Sequence, residues 1–220
     1  VRKGGTVTFM ETSDRYGWKT FEDDYLHMII VLAGHEVAEI GDVYFNDEKV
    51  TIDAGGFVTG ERWKSLARVK KHLGSPNQLA DPDLVAETSV DSNFRGRGIA
   101  YLYVRLDWDK DVFANGTPII TAMVKGRKVY DPRSGNTVRT DNAALCIRDY
   151  LEQPFGLNSI ESPSSLGSSD WVTAANVSDT LIVKKDSSSE KRFTLNGVVS
   201  TANTPRTNLQ YMLTSCGGTL

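Results

Sequence analysis

Apolar residues change their period once along this chain. Up to about residue 135 they run as short continuous stretches or alternate with polar ones, and beyond about residue 140 they recur at three- and four-residue intervals. The stretch 26–33 (LHMIIVLA) is almost wholly apolar, which suits a strand covered on both faces. Residues 42–52 read as two short strands around Asn46-Asp47, a pair that tolerates the positive φ of a tight hairpin. Residues 66–73 look like a half-exposed strand, and 75–83, broken by Pro76 and Pro82, like a loop. The clearest alternation is 99–108 (IAYLYVRLDW). It sets Tyr101, Tyr103, Arg105 and Asp107 on one face against Ala100, Leu102, Val104, Leu106 and Trp108 on the other. Residues 118–124 and 128–130 add two more strands, giving a mainly antiparallel block of about six to eight strands.

Helical spacing then takes over. Ala143, Cys146, Ile147, Tyr150 and Leu151 form one stripe of a helix over 140–155, with Thr140 or Asp141 as its cap and Pro154 and Gly156 as its stop. A second helix is expected over 170–185, its stripe made of Trp171, Ala174, Ala175, Ser178, Leu181 and Ile182. The third has Thr204 as cap, Pro205 at the first turn where a missing amide costs nothing, and Leu209, Met212, Leu213 and Cys216 on one side. These helices pack on a small sheet that includes residues 191–195. The fold class is therefore α+β: a β-rich domain over 1–135 and a smaller helical α+β subdomain with three short helices over 136–220, the two either separate or interleaved.

The chain has 220 residues, 40% hydrophobic and 24% charged, which is the composition of a globular protein with a core of real size. A net charge of -3 argues against a surface that grips nucleic acid by bulk positive charge. No apolar run reaches the length of a membrane span. Cys146 and Cys216 fall on the apolar faces of predicted helices and read as buried thiols rather than a disulfide. The two ends, Val1-Arg2-Lys3-Gly4-Gly5 and Gly217-Gly218-Thr219-Leu220, read as cuts inside a longer polypeptide.

Residues 130–157, YDPRSGNTVRTDNAALCIRDYLEQPFGL, join turn chemistry to a capped helix that stops abruptly. This run resembles the "Y(D/N)P…N(P/A)A(L/W)C(I/L)(R/W)DYL…(Y/F)GL" segment of the J-like central tail-tip proteins of long-tailed bacteriophages, the host-specificity or tip-attachment family. Upstream, the strand 26–33 and the hairpin 39–50 (EIGDVYFNDEKV) are similar to that family's hydrophobic strand and V-Y-x-N-D-x-x-V hairpin. Downstream, 192–199 (RFTLNGVV) is similar to its R-(Y/I)-T-x-N-(G/A) element. The match runs over roughly residues 26–220. It implies a hub-like fold and a ring of three copies at the distal end of the tail. Such a ring joins other tail-tip and tail-tube proteins on one side and, through other regions, the host receptor on the other. The implied location is the virion tail tip, and the bacterial host cytoplasm during assembly. No catalytic signature is among the matching motifs.

The residues themselves offer no catalytic, cofactor-binding or metal-ligating set. His27 lies in an apolar strand, His35 beside Glu36 at a strand end, and His72 among Arg68, Lys70 and Lys71; each reads as an ordinary structural or surface histidine. No G-x-S-x-G elbow is present, and Gly167-Ser168-Ser169-Asp170 lacks its second glycine and preceding strand. Asp81-Pro82-Asp83 and Asp107-Trp108-Asp109 could offer oxygens to calcium without the loop pattern of a dedicated site. Arg95-Gly96-Arg97-Gly98 reads as a solvated loop. The expectation is a non-enzymatic virion component. The rival is a β-rich carbohydrate- or receptor-binding module that stacks ligands on Trp18, Trp63, Tyr101 and Tyr103, all expected to be exposed. A cell-wall hydrolase is the remote third.

Overall fold

A computed structural model describes residues 2–4, 6–13, 25–60, 62–156 and 168–219. Trp18 and most of the serine-rich stretch 162–169 lie outside them. The chain divides into two compact units, Val1–Arg127 and Lys128–Leu220, and the α+β, β-rich class expected from the sequence is what it adopts.

The first unit holds β1 (Arg2–Gly4), β2 (Thr6–Ser13), β3 (Tyr25–Ala33), β4 (Val37–Phe45), β5 (Glu48–Val50), β6 (Ala67–His72), the short helix α1 (Pro82–Glu87), β7 (Ala100–Asp107) and the first part of β8 (Ile120–Asp131). Two antiparallel sheets form, in the orders β2-β3-β7-β6 and β1-β8-β4-β5. Their inner faces share one core. Met28, Ile30 and Leu32 of β3 and Leu102, Val104 and Leu106 of β7 meet Val37, Ile40, Val43 and Phe45 of β4 and Ile120, Ala122 and Val124 of β8. The continuous apolar run of β3 has the reason proposed for it, because its alternate residues Ile29 and Val31 are also covered, on the opposite face. The β4–β5 hairpin turns at Asn46 and Asp47, with φ of 48° and 69°. The strands expected at 118–124 and 128–130 are one: β8 runs from Ile120 to Asp131 without a break.

In the second unit, residues 128–131 of β8 pair with β9 (Asn136–Arg139). Three helices follow, α2 (Ala143–Glu152), α3 (Ser168–Asp179) and α4 (Pro205–Thr214), with a two-stranded ribbon of β10 (Leu181–Val183) and β11 (Ser189–Lys191) between α3 and α4. The cap of α2 is Asn142, rather than the expected Thr140 or Asp141 just before it. Its side chain accepts from the Leu145 N–H at 3.2 Å and donates to the Ala175 carbonyl at 2.9 Å. Cys146, Ile147, Tyr150 and Leu151 pack against Leu209, Met212, Leu213 and Cys216 of the α4 segment, as their spacing implied. A second face is buried too, with Leu145 against Val129 and Ala175. Arg148 is buried between Glu152, at 2.9 Å, and the ring of Tyr130. Cys146 and Cys216 are free, half-buried thiols. Burial pushes the Cys146 thiol up to about 11, which keeps it protonated and unreactive.

The helix expected over 170–185 ends at Asp179, and Leu181 and Ile182 belong to a strand instead. Asp179 is held at the helix end by Arg133 at 2.8 Å and Lys191 at 3.0 Å, and the Arg192 N–H bonds to the Thr180 carbonyl to start the ribbon. The small sheet placed at 191–195 is this ribbon, ending at Lys191; Thr194 makes only a single bridge to Asn142. Among the described residues no helix is long and apolar enough to cross a membrane.

Candidate functional site

The densest concentration of polar chemistry in the first unit lies on the outer face of the β2-β3-β7-β6 sheet, under α1. Alternation places Arg68 and His72 of β6, Tyr101, Tyr103 and Arg105 of β7 and His27 of β3 on this face. The register sets Arg68 directly opposite Arg105, a like-charge pair that is unfavourable on adjacent strands. Glu87, the last residue of α1, supplies the missing anion. It accepts from Arg68 Nη1 and Nη2 at 3.0 and 2.5 Å, from Arg105 Nη1 at 3.1 Å and from the Tyr103 hydroxyl at 2.9 Å. The Tyr103 oxygen lies 2.9 Å from His27 Nδ1.

At the other end of α1, Asp81 does two tasks at once. Its Oδ1 accepts the N–H groups of Asp83 and Leu84 at 2.9 and 3.0 Å, capping the helix ahead of Pro82, while Oδ2 lies 2.7 Å from His72 Nε2. Asp83 adds ion pairs to Arg68 and Lys70, and the Ser89 that follows α1 donates to Glu11. A six-residue helix has no stability of its own. It is fastened by carboxylates and by one wholly buried side chain, Leu84, which packs with Ile29, Tyr101 and Tyr103.

Charge balance explains the proton affinities. Burial disfavours ionised Glu87, but the hydrogen bonds from Arg68 and Tyr103 outweigh it and hold its carboxyl below the ordinary range. Asp81 is lowered in the same way, burial being overcome by His72 and the two helix amides. Burial lowers His27, with Arg105 and Arg68 adding to the effect against the pull of Glu87, so the ring is kept neutral. Burial raises Tyr103 and Tyr101 well above the ordinary phenol. Glu87, Asp81, His27, Tyr101 and Tyr103 are each shifted towards the charge state that the group already has at neutral pH, which suits a structural clasp.

Several sequence expectations change here. Tyr101 and Tyr103 are 1% and 0% exposed rather than an open aromatic face, because α1 and the segment around Gly96 cover them. A Cβ on Gly96, whose φ is +57°, would sit 2.5 Å from the Tyr101 ring. Trp63 is also buried, packed between Phe45 and Phe113. Trp108, placed by alternation on the inner face, lies beyond the end of β7 and is 58% exposed, stacked on Phe113 at 5.8 Å. Asp81-Pro82-Asp83 is a helix start instead of a plain loop. An aspartate followed by proline is the signal that could have shown it, but six residues give no period to confirm it.

His35 Nδ1 lies 2.8 Å from the Glu36 carbonyl. Among the described residues, no group of three metal-ligating side chains comes together. Beside β6 there is a shallow depression of about 270 Å³, lined by residues 52–54, Gly56 and residues 69–71. Its two lysines are engaged elsewhere, Lys70 with Asp83 and Lys71 with the Gly41 carbonyl.

No family model matches the chain, and no curated protein matches it. Among solved structures it is similar to a chain of a native gene transfer agent particle virion, with a TM-score of 0.39 and 21% identity over 57% of this chain. The match spans 25% of the length of that chain, and a likeness at this level supports no argument about function.

Proposed function

We propose that the chain is a structural, non-enzymatic segment of the tail tip of a long-tailed bacteriophage, a hub piece that links the tail tube to the host-attachment region. The observation that carries this reading is the motif of residues 130–157, together with the segments 39–50 and 192–199 that resemble the same family. The side chains of that motif do structural work. Asn142 caps α2 and ties it to Ala175, Asp131 fastens Arg133, and Tyr150 accepts a hydrogen bond from Asn208 in α4. The charged groups of the cluster under α1 are paired with one another, although Arg68 Nε and the Tyr101 hydroxyl are left without a hydrogen bond among the described residues, and the pairing of the charges fits a framework role better than turnover.

A ring of three copies in the full-length protein needs heterologous contacts between neighbours. Exposed apolar residues such as Ile119 in the first unit and Leu181, Val183 and Tyr211 in the second are available for burial in it or against other tail proteins. The second reading, a carbohydrate- or receptor-binding module, is favoured by one observation, the exposed Trp108 stacked on Phe113. A panel of host glycans and peptidoglycan separates the readings. The hub reading expects neither binding nor turnover. Glycan binding that Trp108→Ala abolishes would establish the module, and turnover lost on mutating one carboxylate would establish the hydrolase.

A further inference from the structure

The chain contains two Asn-Gly pairs, Asn115-Gly116 and Asn196-Gly197. Glycine after asparagine removes the Cβ that would otherwise hinder the following amide nitrogen from reaching the side-chain carbonyl. Both asparagines are exposed. Their backbones are not equivalent. The Gly116 N–H donates to the Phe113 carbonyl at 2.8 Å, within a turn already stapled by Asp109, which accepts from Asp111 and Val112 at 2.9 and 3.0 Å. Residues 196–199 make no hydrogen bond among the described residues and belong to no regular element. They span two anchors. On one side the Leu195 N–H bonds to the Asp141 carbonyl at 2.7 Å, and on the other the Ser200 carbonyl accepts from Asn208 at 2.9 Å. A Cβ built on Gly197 or on Gly116 meets nothing within 4 Å, so crowding does not separate the two pairs and the backbone hydrogen bond of Gly116 does.

We propose that Asn196 is a self-modification site, where the chain converts its own side-chain amide to aspartate and isoaspartate through a cyclic imide, while Asn115 is protected by its turn. The Gly197 nitrogen gives its proton to water or hydroxide and attacks Asn196 Cγ. The new N–Cγ bond forms as the Cγ–Nδ2 bond breaks, and ammonia leaves with the proton returned to it. Water then opens the imide at either carbonyl, giving an aspartyl or an isoaspartyl link with no change of oxidation state. The isoaspartyl product adds a methylene to the backbone and leaves a free carboxylate as the side group, directly after Leu195, whose side chain packs on the α2–α4 core. The altered residue therefore sits at the joint between a fixed residue and a free span.

The test is peptide mapping by mass spectrometry on the intact 220-residue chain, held folded in mildly alkaline buffer and sampled over time. The Asn196 peptide should gain about one mass unit and split into two chromatographic isomers. The Asn115 peptide should follow roughly tenfold more slowly, the factor that corresponds to breaking one backbone hydrogen bond of about 1.4 kcal/mol before attack. In concentrated urea the two rates should converge, since the turn is then gone. Gly197→Ala should slow the reaction while leaving the circular dichroism spectrum unchanged, and Asn196→Gln should nearly abolish it. Equal rates at the two pairs in the folded chain would overturn the proposal, as would an Asn196 that stays intact when folded but reacts in urea.

Discussion

Replacing Glu87 by glutamine tests whether α1 is held by charge. The substitution keeps shape and one acceptor oxygen but removes the anion that lies between Arg68 and Arg105, which face each other across β6 and β7. Breaking a fully buried ion pair from one side costs about 3–5 kcal/mol, because the remaining charge is left uncompensated. Arg68 is nearly that deep at 7% side-chain exposure, whereas the Glu87 side chain is 26% exposed, so water recovers part of the loss. The retained acceptor recovers some more, leaving an expected cost of roughly 2–3 kcal/mol. For a unit of this size that corresponds to a melting temperature lower by roughly 6–12 °C. The companion variant is Glu39→Gln, which breaks a pair with Lys125 that is half exposed on both sides and should change stability by no more than about 0.5 kcal/mol. Thermal melts followed by circular dichroism give both values, and hydrogen exchange across residues 82–88 shows whether α1 opens first. If Glu87→Gln melts with the parent and the α1 amides stay protected, the clasp contributes nothing and the reasoning fails.

Three further outcomes follow from the same structure. His27 has a folded pKa below its unfolded value of about 6.5, so its contribution to stability is complete above that pH and declines as pH falls toward the folded value. Asp81 and Glu87, also lowered, add a second loss below about pH 4, and melts across pH should show the first decline vanish in His27→Gln while the second remains. Ile147→Asp puts an unpaired carboxylate into the α2–α4 core and should cost several kcal/mol; Arg148→Asp is also damaging, because the new carboxylate is buried next to Glu152, and chemical denaturation of both reads the result. Static light scattering should find the isolated 220-residue chain monomeric in dilute solution, since a stable contact needs on the order of 1,000 Å² of complementary surface.

Much of the fold was legible because burial on one or two faces leaves a period in the sequence. The β3 run, the β4–β5 hairpin, the β7 alternation, the α2 stripe and the Thr204-Pro205 start of α4 all carried it. What alternation could not decide was which β7 face meets solvent. Tyr101 and Tyr103 looked like an open platform because their cover is a six-residue helix with a single buried apolar residue, Leu84, too little to register as a period. The end of α3 was missed for a related reason. Leu181 and Ile182 continue the helical stripe by spacing, and no glycine or proline marks the stop. The chain leaves the helix at Asp179, whose carboxylate is held by Arg133 and Lys191, partners far away in sequence. Of the polar cluster, His27, Arg68 and His72 were visible only as isolated residues. Glu87 carried no local sign that two arginines, a tyrosine and a histidine would converge on it, because strand register and helix placement bring them together.

Immunogold electron microscopy tests the central claim most directly, using antibodies raised against this chain on intact phage particles released from cells that carry its gene. The account predicts label confined to the distal end of the tail. Label on the capsid, label along the whole tail, or particles that carry none of the chain would contradict it.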